Sequence, residues 1–353
     1  MVKPVADLLR AHPVIQAPMA GAGGVVLAAA AIRGGGIGSL PCALLGAPQA
    51  IEQAAAVRAE ARGPLNLNFF CHDLTAPGDD SAWRALLAPY YAEYGVGPPE
   101  VPPPLRRPFD AAMCDAVEAI APEIVSFHFG LPSRALLDRV AATGARILAS
   151  ATSVAEARWL AAHGIDAVIA QGFEAGGHTA RFLPVAPGTE MGLFALLPQI
   201  VDAIDLPVIA AGGIADARGV TAAFALGASA VQLGTAYLHC PESLASAAHR
   251  ALLRSEAAET TRFTNLISGG LARGLPNRLV EELGPVNPAA PPFPHASAAL
   301  AALRTAAEAQ GRTDFSTIWS GQSARLGGPE SAEALTRRLT EAAHAHIKGE
   351  GSC

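Results

Sequence analysis

The chain is 353 residues long, 51% hydrophobic and only 16% charged, with 35 glycines and 28 prolines. Such a composition is the opposite of a disordered chain's, and a net charge of −6 offers no basic face to nucleic acid. The length admits one large α/β barrel or two ordinary domains, either with an ample core.

Mean hydropathy is positive, at +0.30. Yet the purest apolar run, Val25–Ile32, has eight residues, far below the roughly 18–20 that span a bilayer. Lys3, Asp7 and Arg10 interrupt the start of the chain, which therefore lacks a signal-peptide core. Five scattered cysteines (Cys42, Cys71, Cys114, Cys240, Cys353) form no CxxC pair, which predicts neither disulfides nor structural zinc and fits a reducing cytoplasm. Lysine occurs only at Lys3 and Lys348 among many arginines and alanines, the usage of a GC-rich bacterial genome.

Short β-branched runs alternate with alanine-rich stretches. Strands are predicted at Val14–Ala17, Gly36–Leu40, Leu65–Phe70, Ile124–Phe129, Arg146–Ala149, Ala167–Gln171, Pro207–Ala211 and Ala230–Leu233. Helices are predicted at Val25–Arg33, Pro48–Arg62, Asp110–Ile120, Pro132–Ala142, Val154–His163, Leu193–Ile204 and Asp216–Leu226. Ser153 and Asp216 are N-cap candidates, and Gly164 and Gly227 close the same two helices. Apolar strands without strict alternation suit a parallel sheet covered on both faces, so the count describes a (β/α)8 TIM barrel. A doubly wound sheet is the competing architecture, but Gly21–Val26 lacks the last glycine of a dinucleotide fingerprint. The expected organisation is a barrel over 1–283, with an insertion at about 71–109 after the third strand. A helical extension over 284–353 would pack on the barrel and contribute to the active site. The proline-rich Gly97–Pro108 within the insertion is a candidate lid.

The seventh strand ends in Gly212-Gly213 before a helix, and the eighth in Gln232-Leu233-Gly234-Thr235. Either pair alone reads as ordinary turn glycine. Together they stand at the two loops where a barrel commonly grips a phosphate with bare backbone and a helix N-terminus. The sixth strand ends at Gln171 and runs through Gly176-Gly177 into His178. An imidazole there could act as base, acid or hydrogen-bond donor near neutrality. His128 stands at the end of the fourth strand and competes with the reading of a satisfied core histidine. Met19 follows the first strand and could lie against an aromatic ring system. Asn66 and Asn68 point to one face of the third strand, the later one nearer a ligand. Cys71 and His72 offer a weaker thiol reading, and no His/Asp/Glu cluster has metal-ligand spacing.

These residues resemble the nitronate monooxygenase family, particularly its class I branch. The matching segments are Val14–Gly21, Leu67–His72, Ser126–Gly130, Gln171–His178, Ala211–Asp216, Gln232–Ala236, Ser268–Arg278 and Trp319–Gln322. The resemblance implies an FMN-dependent TIM barrel that oxidises alkyl nitronates, such as propionate 3-nitronate, with O2, as a detoxifying oxidoreductase. Met19, Asn68, Gln171, Gly176, Gly212, Gly213 and Gln232, Leu233, Gly234 and Thr235 would hold FMN, with Asn66 competing at the third strand and Gln322 contributing from the C-terminal segment. His178 would be the active-site histidine, with His128 as a second catalytic candidate. A monomer or homodimer is expected. Two positions depart from the family pattern: Thr179-Ala180 replaces Arg-Gly, and Gly270 stands where a basic residue is common. Arg181 is the candidate to restore the lost charge. An NAD(P)H-dependent FMN reductase acting on quinones or enoyl thioesters, and a non-catalytic FMN- or phosphate-binding barrel, are the alternative readings.

Overall fold

The structure, a computed structural model, describes residues 4–99, 103–184, 186 and 188–349. Glu100, Val101 and Pro102 of the proline-rich stretch, and Cys353, lie outside the described residues. Among the described residues, eleven strands occur in chain order: β1 (Val14–Gln16), β2 (Gly38–Pro41), β3 (Leu65–Phe70), β4 (Ile124–His128), β5 (Arg146–Ala151), β6 (Ala167–Gln171), β7 (Gly177–His178), β8 (Val208–Ala211), β9 (Ala230–Leu233), β10 (Arg262–Thr264) and β11 (Ala272–Gly274). Eight of them form one parallel sheet in the order β1-β9-β8-β6-β5-β4-β3-β2. Ile15 bridges Ile37 in parallel, with Gln16 N–H donating to Ile37 O at 2.9 Å, and this contact closes the sheet into a TIM barrel. Every barrel strand predicted from the sequence is present, and the differences are confined to one or two residues at the ends.

The barrel interior is filled by Ile15, Ile37, Ile124, Leu148, Ile169 and Ile209. The helix Val5–Ala11, which the sequence pattern did not reveal, adds Val5 and Leu9 to this cluster. Outside the strands, helices cover the sheet as expected. Ser153 Oγ accepts from Glu156 N–H, Asp216 caps Arg218 and Gly219, and Gly164 and Gly227 take positive φ. These are the local stops that let a β-strand hand over to a helix in few residues.

The last helix, Ala332–Gly349, packs against helices Val25–Arg33 and Ala217–Ala225, and its Leu335, Leu339 and Ala343 join the barrel core. The remaining segments build a cap. The insertion helix Ser81–Tyr94 packs on helix Ala296–Ala309, sharing a second core of Trp83, Leu87, Leu300, Leu303 and Phe315. Trp83 Nε1 donates to Ala296 O at 3.3 Å and the Tyr91 hydroxyl to Ala299 O at 2.6 Å. Thus the insertion after β3 and the stretch after β9, far apart in sequence, close over the same end of the barrel. No helix among the described residues is long and apolar enough to cross a membrane.

Candidate active site

A cavity of about 500 Å³ lies at the carboxyl ends of the barrel strands, beneath the cap. Parallel strands present their last side chains to this rim, which is why barrel chemistry gathers there. Met19, Asn68, His128, Gln171, Gly176, His178, Gly212, Gly213, Gln232, Gly234 and Thr235 all line it. Three expected contacts do not. Asn66 lies deeper on the inward face of β3, fully buried, its Nδ2 donating to Ser39 Oγ at 3.0 Å. Leu233 alternates outward into the apolar layer between sheet and helices. Gln322 is exposed and touches the site only through its N–H, which donates to Glu174 O at 3.0 Å. Its neighbour Gly321 takes the position at the cavity wall.

His178 is carried on β7, which pairs antiparallel with β11 at Ala272. The ring is buried among Phe70, Phe129, Phe293 and Trp319, with centroid separations of 5.1–6.2 Å. Its Nε2 lies 2.8 Å from Ser268 Oγ, which also has Gly270 O at 3.4 Å. Burial, then the charge of Arg106 and the neighbouring His128 and His72, hold its pKa well below 6.5. His178 is therefore neutral at physiological pH.

Two neighbours of this histidine also bond to its backbone segment. Gln171 lines the cavity, and its amide also bonds the backbone: Nε2 donates to His178 O at 3.1 Å and Oε1 accepts from Ala180 N–H at 2.7 Å. His128 Nε2 lies 3.2 Å from the same His178 carbonyl, which can only accept, and so carries its proton there. Both residues position the His178 segment. These backbone bonds are ones their sequence positions could not reveal. Burial pulls His128 down to about 4.

The opposite side of the cavity is built from bare backbone. Gly212 and Gly213 have φ of +107° and +70°, and a Cβ on Gly212 would stand 3.1 Å from Ala175 N. A Cβ on Gly176 would stand 2.5 Å from Gly321 N. Thr235 Oγ1 accepts from that Gly321 N–H at 2.8 Å, so the segment carrying Trp319 and Gly321 is strapped across the cradle. Glu174, another cavity residue, accepts Leu193 N–H with its carboxylate and fixes the loop from the other side.

Several cavity residues escaped the sequence reading. Arg106 comes from the insertion, while Arg304 and Glu308 come from helix Ala296–Ala309. Arg181, expected to restore a charge at the site, instead pairs with Glu190 at 2.8 Å and lines a separate cavity of about 290 Å³. Cys71 does not line the main cavity, and burial pushes its thiol far up, which removes the nucleophile reading. Among the described residues no group of three His, Cys, Asp or Glu side chains could hold a metal ion.

The buried histidines carry a stability consequence. His128 and His249 are both held down to about 4, with burial the main cause. The unfolded chain takes up protons near pH 6.5 that these rings refuse while folded, so acid favours unfolding. Thermal melts should therefore show Tm level above pH 7 and falling between about pH 6.5 and 4, before most carboxylates titrate. A Tm unchanged across that window would contradict the burial of these rings.

Comparison with known proteins agrees with this geometry. The nitronate monooxygenase family model matches residues 3–342. A nitronate monooxygenase of Pseudomonas aeruginosa is 43% identical over 339 residues, covering 94% of this chain and 95% of the relative. One from Paraburkholderia phytofirmans is 42% identical, covering 93% and 91%. The crystal structure of a nitroalkane oxidase from Streptomyces ansochromogenes superposes with a TM-score of 0.87 at 34% identity, over 98% of this chain and 99% of that one. FabK from Thermotoga maritima, at 23% identity and a TM-score of 0.70 over 99% of each chain, shares the fold. With its cavity at the strand ends and this likeness along nearly its whole length, the chain belongs to the nitronate monooxygenase family of oxidoreductase enzymes.

Proposed function

We propose that the protein binds FMN in this cavity and oxidises alkyl nitronates with O2. The observation that carries the reading is a neutral, buried His178 sharing one cavity with a cradle of bare backbone. Two features fit FMN in particular. The cradle depends on glycine, since a Cβ on Gly176 or Gly212 would meet neighbouring backbone atoms, and Gln232 Oε1 is buried without a hydrogen-bond partner. An orphaned amide oxygen is costly in a folded protein unless a ligand donates to it. Gly176, Gly212, Gly213, Gly234, Thr235 and Gly321 would hold the phosphate. Met19, Asn68 and Gln232 would meet the rest of the cofactor. Bound there, FMN supplies the electron transfer and the reaction with O2.

The chain's own part is to bind, orient and shield. The Ser268 hydroxyl has two acceptors within reach. When it donates to Gly270 O, His178 Nε2 holds a proton and the other ring nitrogen keeps a lone pair, the form that takes a proton from a neutral nitroalkane. When it donates to His178 Nε2, the other ring nitrogen carries the proton and donates to a nitronate oxygen, where no proton need be abstracted. Phe70, Phe129, Phe293 and Trp319 keep water from the ring.

The purified protein should be yellow and should consume oxygen on addition of an alkyl nitronate, with no nicotinamide present. An oxygen electrode reads this directly. A flavin-loaded protein that consumes no oxygen with any nitronate would overturn the reading.

A further inference from the structure

The second cavity, of about 290 Å³, lies directly beside the one that holds His178. Three of its lining residues, Val286, Phe173 and Leu271, are 58%, 38% and 36% exposed, so it reaches the surface. On its inner side one stretch of chain separates it from the main cavity. His178 lines the main cavity and the next residue, Thr179, lines the second, as successive residues of an extended segment face opposite ways. Thr179 N–H donates to Leu271 O at 3.0 Å, which continues the pairing of β7 with β11. Gln171 and Ala175 line both cavities. The partition is therefore a single layer of chain, running from Gln171 to Thr179.

The lumen of this second cavity is apolar in effect. Phe173, Met191, Phe263, Leu271 and Val286 build much of its wall. Arg273, itself buried, lies over the rings of Phe173 and Phe263 at 4.5 and 4.2 Å and braces them. The polar groups of the wall bond one another or the protein around them. Thr152 Oγ1 donates to Glu156 at 2.8 Å, Thr189 Oγ1 donates to Ala186 O at 2.7 Å, and Arg181 pairs with Glu190 at 2.8 Å. Arg181 Nε makes no hydrogen bond, but it is shielded from solvent and the guanidinium charge is met by Glu190. Such a wall offers little to a charged or strongly hydrogen-bonding ligand and favours a small apolar one.

We propose that the second cavity is an oxygen route, in which O2 gathers between Phe173, Met191 and Leu271 and crosses the Gln171–Thr179 partition into the main cavity. The inference rests on the reading above for the identity of this reactant. FMN and the nitronate would share the main cavity, so O2 is best served by an approach that neither of them blocks. O2 is uncharged and apolar and needs no hydrogen bond from the wall. It is also small enough to pass one layer of chain during ordinary side-chain and loop motion.

Xenon, an apolar atom that settles in apolar cavities, tests the site without any turnover. In holoenzyme crystals under xenon pressure, xenon should appear in the second cavity of the wild type and be absent from Leu271→Trp. A second cavity without xenon in the wild type would overturn the proposal.

The kinetic test needs no nitronate. Holoenzyme with photoreduced flavin is mixed with O2 in a stopped-flow instrument, and the return of flavin absorbance gives a bimolecular rate constant. Leu271→Trp and Val286→Trp fill the lumen from two separate segments. Each should lower that constant at least about tenfold, because passage then waits on a rearrangement of the wall. FMN content and the anaerobic reaction with a nitronate should match wild type. Leu271→Ala, which widens the lumen, should keep at least the wild-type constant. A loss there as deep as in Leu271→Trp, or wild-type constants in both tryptophan variants, would overturn the route. If the tryptophans slow reoxidation but no nitronate is oxidised, the route stands and the functional reading fails. If nitronates are oxidised and reoxidation is unchanged in both variants, the reverse holds.

Discussion

Replacing His178 with alanine should cost turnover of neutral nitroalkanes about 10²- to 10⁴-fold, the usual worth of a positioned general base. Nitronate turnover should fall less, about 10- to 100-fold, because only a hydrogen bond to a charged group is lost. The inequality follows from the chemistry: a nitroalkane must surrender a proton and a nitronate has already done so. Burial and the neighbouring cation keep His178 neutral, so its proton uptake should leave no inflection near pH 6.5 in kcat/KM. Any acid limb from this residue should lie lower. Ser268→Ala should retain a folded, flavin-containing protein with a partial loss, since it removes the partner that steers the ring at 2.8 Å. Steady-state kinetics on both substrate classes across pH checks all of this. Equal, unchanged rates in His178→Ala would remove both roles.

The second large effect lies at the cradle. In Gly176→Ala the new methyl would meet Gly321 N at 2.5 Å and the Ser320 carbonyl carbon at 2.6 Å. Both are backbone atoms, so no side-chain rotation relieves the clash, and the strap must lift. The expected protein is colourless or nearly so, with FMN affinity reduced at least about 100-fold, from the loss of several charge-assisted contacts at about 1.5–3 kcal/mol each. Thr235→Val tests the same strap gently, deleting the hydroxyl that accepts Gly321 N–H while keeping the side chain's shape. About a tenfold weakening is expected there. Flavin absorbance after purification, followed by fluorescence titration of the apoprotein with FMN, measures both. A melt of each apoprotein separates a damaged cradle from a damaged fold. FMN binding as tight as wild type in Gly176→Ala would refute the cradle's assignment.

These two sites differ in how far the sequence disclosed them. The barrel was legible because buried parallel strands are written as short apolar runs, each followed by a helix with its own cap, as at Ser153 and Asp216. The ordinals of those strands then brought Gly212, Gly213 and Thr235 to one rim. The helix Val5–Ala11 was not legible, since seven residues give too short a periodicity to separate it from a leader. Gln171 and His128 announced polar atoms at strand ends, but only three-dimensional pairing showed that those atoms hold the His178 backbone. Gln322 missed the cavity by one residue because neighbours on an irregular segment face different ways, leaving Gly321 at the wall. Arg106 and Arg304 were hidden for a stronger reason. The cap joins segments some two hundred residues apart, and no local pattern reports such a meeting.

The charge that appeared to be missing beside His178 is thereby relocated. The resemblance led to an expectation of basic residues where Thr179 and Gly270 stand. Arg181 does not compensate, being paired with Glu190 in another cavity. The cavity's positive charge comes instead from the cap, through Arg106 and Arg304.

The most direct test of the central claim is anaerobic mixing of the yellow holoenzyme with an alkyl nitronate and, separately, with NADH, followed by flavin absorbance. The account predicts that the nitronate reduces the flavin within the turnover time and that NADH leaves the oxidised spectrum intact. Reduction by NADH alone, with the nitronate inert, would contradict it.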